Sequence, residues 1–338
     1  MHRKFNCAPA IAKTGQMEKS KLMDLIRGFS RRERDRFRDF VASPYFNRNP
    51  DLVRLTEWLF AQAPEFSGIS REKAWAVVYP HQPFDHRQFN HLMSWLLELG
   101  EQFLGFENYR SDFFEPGWQT AEALLRRRLD KHYRFNAERL RRELDKSAYR
   151  NANHFLKRYR FADLELRAHV AQAASRQSDD HLQQASDQLD FFFLTEKLNY
   201  SCAMLNNQAI ISSSYQFHFV EEVRRFVGAH PLPPQAPGVA LYFRILQMLT
   251  KADGDSDFQA LKQLLRVHAG HFPAAEMALL YGYALNYCIR QIRNVREEYV
   301  AEALALYEEG VETGILLTEN GHLSPWHFKN IVKLALRL

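Results

Sequence analysis

Histidines, cysteines and carboxylates are where chemistry would start in this chain, and their spacing decides what they can do. His81, His86 and His91 recur every five residues. Two metal ligands on one helical face need a step of three or four, so these rings fall on different faces and read as surface histidines. His268 and His271 have a ligand-like spacing. Gly270 and Pro273 interrupt any helix there, and no nearby Cys, Asp or Glu completes a ligand set. Cys7, Cys202 and Cys288 lie far apart, are odd in number and form no CxxC pair. That usage predicts a reducing, cytoplasmic setting, with Cys202 and Cys288 as core residues on apolar faces. No GxSxG, P-loop, GxGxxG or HExxH stretch occurs, and the carboxylates alternate with Lys and Arg. These residues predict a chain that is not an enzyme and uses no metal or cofactor.

The remaining chemical signal is charge. Residues 121–160 hold thirteen basic side chains against five acidic ones, an excess of eight, while the whole chain carries +5. The rest of the molecule therefore sums to −3, and the basicity is local. Such a segment can bind phosphate or an acidic partner. Arg126, Arg127, Arg128, Arg134, Arg139, Arg142 and Arg158 are the candidate partner-binding residues. The plainer reading is a solvated helix face, because Glu138/Arg142, Arg139/Glu143 and Arg141/Asp145 have the i, i+4 spacing of surface ion pairs. No recognised nucleic-acid motif accompanies the segment. Phe191-Phe192-Phe193 is the other run to place: two of three consecutive helical positions can face a core, and the run reads as packing between layers more readily than as a binding surface.

The elements that would position these groups are helices. At 338 residues the chain exceeds what one compact core usually serves. Its 26 Phe and 14 Gly suit wide helix–helix contacts better than turn-rich β structure. Leu22, Leu25, Ile26 and Phe29 share a helical face. Ser30-Arg-Arg-Glu33 has capping-box spacing, as has Asp85-His-Arg-Gln88. Asn49-Pro50 and Ser324-Pro325 each place a cap before a proline at the first helical position. Ser70 is a further expected cap, and Pro44 stops the helix before it. These signals predict an N-terminal helical domain over 17–104, preceded by a disordered leader, 1–16. A linker over 105–117 ends in Pro116-Gly117. From 118 to 338 longer helices with short loops predict an α-solenoid-like array of helix pairs. Tyr281-Gly282-x-x-Leu285 followed by Ala303-x-x-x-Tyr307-x-x-Gly310 echoes the tetratricopeptide pattern weakly, without a second copy. No apolar run reaches the ~18–20 residues of a membrane span, so no membrane partner is expected.

Two stretches carry a resemblance. Glu33-x-x-Arg36-Phe37-x-x-Phe40-x-x-Ser43-Pro-Tyr-Phe-Asn47 is one. Asn286-Tyr-Cys-Ile-Arg290 with Leu323-Ser-Pro-Trp-x-x-Lys329-Asn-Ile-Val332 is the other. Together they resemble an uncharacterised family of bacterial helical proteins, usually longer than this chain. The resemblance implies an all-α, repeat-like fold over about residues 17–338 and implies no activity.

The expected function is a non-enzymatic scaffold or adaptor that holds a protein partner on a helical-repeat surface. Nucleic-acid binding through 121–160 is the alternative. The last helix carries Ile331, Leu334 and Leu338 on one stripe with Val332 and Leu336 beside it. With no following helix to cover it, that stripe predicts a truncated chain or self-association through this end.

Overall fold

The computed structural model describes residues 17–171, 180–211, 214–231, 233–251 and 253–337. The expected leader 1–16, with Cys7, and the stripe residue Leu338 lie outside the described residues. The fold is all-α: among the described residues there are fifteen α-helices, one short 3₁₀ turn and no strand. In chain order the helices are α1 (Lys21–Arg27), α2 (Arg31–Ala42), α3 (Pro50–Phe60), α4 (Arg71–Val78), α5 (His86–Ser111), α6 (Phe114–Arg126), α7 (Asp130–Lys146) and α8 (Ala152–Ala171). Then follow α9 (Asp180–Ile211), α10 (Val220–Ala229), α11 (Pro237–Thr250), α12 (Asp255–Val267), α13 (Ala274–Arg293), α14 (Glu298–Glu312) and α15 (Pro325–Ala335). The chain divides into two compact units between Pro116 and Gly117.

In the first unit, α5 is the spine on which α1, α2 and α3 pack. Local capping fixes the ends of these helices. The Ser30 hydroxyl accepts from the Glu33 N–H while the Glu33 carboxylate accepts from the Ser30 N–H at 2.7 Å, the reciprocal pair its spacing predicts. Asn49, Ser70 and Asp85 cap α3, α4 and α5. Phe29, Phe37, Phe60 and Phe103 meet edge-on or tilted in the core, with ring centroids 5.3–6.0 Å apart. Gly100 lets α1 approach α5: a Cβ there would stand 2.3 Å from Leu25 Cδ2. In the Ser-Pro-Tyr-Phe-Asn turn, Phe46 stacks on Phe40 at 4.0 Å and the Asn47 side chain donates to Val41 O and Asn49 O. Residues 105–117, expected as a linker, are mostly helical. Gly105 faces open space and leaves α5 unbroken, and Pro116 sits in the first turn of α6, where its missing N–H costs no bond.

In the second unit, consecutive helices pack as neighbours: α7 on α8, α8 on α9, α9 on α11, and so on through α15, with α10 on α9 and α11 also on α13. The core centres on α11 and α13. Val239, Leu241, Tyr242, Ile245, Leu246 and Met248 are all buried, so α11 is apolar nearly all round, as a central helix must be. Tyrosine–carboxylate bonds tie neighbouring helices together. Tyr242 donates to Glu276 at 3.0 Å, Tyr281 to Glu309 at 3.0 Å, and both Tyr287 and Tyr299 to Asp255 at 2.8 and 2.6 Å. Arg296 closes the last cluster with two bonds to the Asp255 carboxylate. These donors hold Asp255 well below the usual carboxylate range, and burial with the Asp255 bond pushes Tyr287 up to about 12.

Candidate functional site

The residues singled out for chemistry are placed as follows. His81, His86 and His91 are all exposed, and His91 stacks on Trp95. His268 and His271 bring their Nδ1 atoms to 3.0 Å in the 3₁₀ turn. No group of three or more His, Cys, Asp or Glu able to hold a metal occurs among the described residues. Cys202 is buried and its Sγ donates to Tyr242 O; burial raises its pKa and pushes Cys288 up to about 12, so both thiols are kept un-ionised.

The basic segment resolves into two populations. Part of it is neutralised, with partners that differ from the i, i+4 pattern. Arg142 does pair with Glu138 at 3.0 Å, but Arg141 bridges Glu138 and Glu165 of α8. Glu143 pairs with Lys146, and Asp145 with Arg158 at 2.5 Å. Of the candidate residues, Arg142 and Arg158 are therefore already committed to carboxylates. Arg126, Arg127, Arg128, Arg134 and Arg139 are exposed and have no carboxylate partner among the described residues, and Lys131 stands with them. Arg127 donates only to Ala123 O. Arg128 takes φ of 56°, and the bonds Arg128 N–Leu125 O and Leu129 N–Leu124 O close α6 as a Schellman turn with arginine at the position glycine usually fills. Leu129 and Phe135 are exposed among these cations.

A second feature was not legible from charge totals. A cleft of about 570 Å³ opens between α7, α8 and α9. Its walls include Phe155, Phe161 and Phe191, and its polar groups include Arg141, Arg150, Arg158, His154 and His181. His154 is only 6% exposed. Burial, helped by Arg150, Arg158 and Lys157 and opposed by Asp145, pushes its pKa down to about 4, so the ring is neutral. His154, Arg158, Phe161 and Glu165 lie at i, i+4, i+7 and i+11, one face of α8. That mixed stripe was the available signal.

Apolar side chains also reach solvent. On α9, Thr195, Leu198 and Cys202 face the core, while Leu189, Phe193 and Tyr200 are 42%, 44% and 60% exposed. The exposed three are four and seven residues apart and share one helical face about 16 Å long. The Phe run thus splits: Phe191 and Phe192 pack against the core and Phe193 points outward. On α15, Leu334 is buried and Ile331 half-buried, whereas Trp326, Phe328 and Val332, with Leu336 just past the helix end, are exposed. Asn330 donates to Tyr307 and docks the helix on α14. No helix among the described residues is long and apolar enough to cross a membrane.

Comparison of the chain with protein-family models, with curated proteins and with solved structures returned no match. The function is read from this chain's own geometry.

Proposed function

We propose that the protein is a non-enzymatic scaffold that holds a protein partner on the helical surface of its second unit. The observation that carries this reading is the apolar stripe Leu189–Phe193–Tyr200 on α9. Large apolar groups aligned at helical spacing on a rigid element are what a partner helix or strand packs against. Two features support it. Consecutive packing of α7 to α15, with α11 also on α13, suits an array of stacked helix pairs, whose surface is ordered before binding and loses little entropy on association. Tyr242, Tyr281, Tyr287 and Tyr299 engage Glu276, Glu309 and Asp255 in bonds between helices, a structural use of those groups.

The test is purification of partners from the native host on the full chain, with and without nuclease. A protein retained after nuclease, and lost from the Phe193→Ser/Tyr200→Ser double variant, is the expected result. A partner unaffected by that variant contradicts the reading.

A second reading is favoured by one observation: the unpaired cations at the α6–α7 turn. Arg126, Arg127, Arg128, Lys131, Arg134 and Arg139 could contact nucleic-acid phosphates, with Phe135 available for stacking. Each phosphate contact contributes nearly one unit to the slope of log affinity against log salt. If this reading holds, changing Arg126, Arg127 and Arg128 to Gln flattens that slope.

A further inference from the structure

We propose that the cleft between α7, α8 and α9 is a binding site for a small organic monoanion, a flat apolar body bearing one carboxylate. This goes beyond the scaffold reading and does not depend on it.

The cleft has the size of a small-molecule site, about 570 Å³. Its floor supplies the apolar part of the recognition. Phe155 and Phe161 are each 3% exposed, and Phe191 meets Phe155 edge-on at 5.5 Å. A planar hydrocarbon body against these rings gains both area burial and edge or stacking contacts.

The polar groups set the charge. Arg158 is held by Asp145, and Arg141 by Glu138 and Glu165. Arg150 is different: its Nη1 donates to Ser147 O and Tyr149 O, two neutral carbonyls, and no carboxylate among the described residues pairs with it. Arg150 is thus the arginine of the lining left without a carboxylate among the described residues, one locally uncompensated positive charge. A monoanion balances it. A dianion leaves one negative charge uncompensated in a partly desolvated site, and a neutral ligand leaves Arg150 without a counter-charge.

His181 points to a ligand independently of the charge count. Its Nδ1, on this cleft, is buried and has no hydrogen-bond partner among the described residues. His154, 6% exposed, lines the same cleft. Buried polar atoms are normally satisfied, and the orphaned His181 nitrogen facing the cavity marks where a ligand's polar atom belongs. A neutral imidazole offers one N–H, which suits a carboxylate oxygen already paired to Arg150.

The test uses the full chain at pH near neutrality with benzoate, benzamide and phenyl phosphate as probes, followed by saturation-transfer NMR and by the ¹⁵N shifts of the His154 ring. Benzoate is expected to bind about tenfold more tightly than benzamide, from one charge-assisted bond, and to move the His154 nitrogens. Arg150→Gln is expected to bring benzoate down to the level of benzamide. Because Arg150 also ties backbone carbonyls, its fold is checked by thermal melting. Should it not fold, His154→Phe, expected to weaken benzoate about fivefold, replaces it. Benzoate binding no better than benzamide, phenyl phosphate binding as tightly as benzoate, a preference that survives the variant, or unmoved His154 signals would each overturn the proposal.

Discussion

At the scale of single residues, the polar atoms left without partners carry the most information. Thr195 is fully buried on α9, and its Oγ1 has no hydrogen-bond partner among the described residues, although threonine in a helix commonly bonds back to the carbonyl four residues earlier. Its methyl packs where Gly238 opens α11: a Cβ at Gly238 would stand 2.7 Å from Thr195 Cγ2. Thr195→Val keeps the shape and removes the orphaned hydroxyl, so it is expected to stabilise the second unit by about 1 kcal/mol in chemical denaturation. His154 gives a pH-dependent counterpart. Its folded pKa is depressed to about 4 against an ordinary value of 6.5. Between those values the unfolded chain takes up a proton that the folded chain does not. The associated stability is intact above pH ~6.5 and is lost as pH falls toward ~4, by up to about 3 kcal/mol. His154→Gln is expected to flatten that acid limb relative to the wild type when unfolding free energies are measured across the interval. Sequence alone could not single out either residue. Both sit in ordinary amphipathic helices, and what distinguishes them is burial of a polar side chain, which only tertiary packing decides.

At the scale of elements, helix starts were legible and some helix ends were not. Ser30, Asn49, Ser70 and Ser324 cap the helices their neighbours predict, because a cap is a contact between residues two or three apart. The end of α6 carries no such signal. The break falls at Arg127-Arg128, with neither Gly nor Pro, and is made by Arg128 adopting a left-handed conformation that costs a non-glycine residue about 1 kcal/mol. Of the three expected ion pairs of the basic segment, Glu138/Arg142 forms, and the other two give way to different partners for a related reason. The spacing matches local partners, but Glu165 on α8 takes Arg141, and Arg158 on α8 takes Asp145. An arginine held at a conformational cost, exposed and without a carboxylate, is consistent with use of its charge. Arg128→Gly is therefore expected to raise the unfolding free energy by about 0.5–1 kcal/mol, by relieving that turn, while lowering any affinity for polyanions. Paired denaturation and heparin-retention measurements check both signs.

At the scale of the whole molecule, the all-α class and the division into a shorter and a longer helical unit follow from patterning that spans the chain. Apolar stripes at helical period run from Leu22 to Leu334, and the apolar-all-round α11 is the buried centre of the second unit. What patterning cannot encode is which apolar residues stay outside. Leu189, Phe193 and Tyr200 have the composition of a core face, and only the packing of α8 and α11 on the opposite side of α9 leaves them in solvent. Burying three such side chains against a partner would contribute roughly 1.5–3 kcal/mol each, enough to anchor an interface if they sit at its centre. This stripe is the surface proposed to hold a protein. Its most direct test is photo-crosslinking in the native host with p-benzoylphenylalanine in place of Phe193, beside the same substitution at exposed Tyr45 and at Arg127. A discrete protein adduct from position 193, unchanged by nuclease and missing from position 45, is expected. No adduct from 193 above the level at 45, together with nuclease-sensitive adducts from 127, would contradict it.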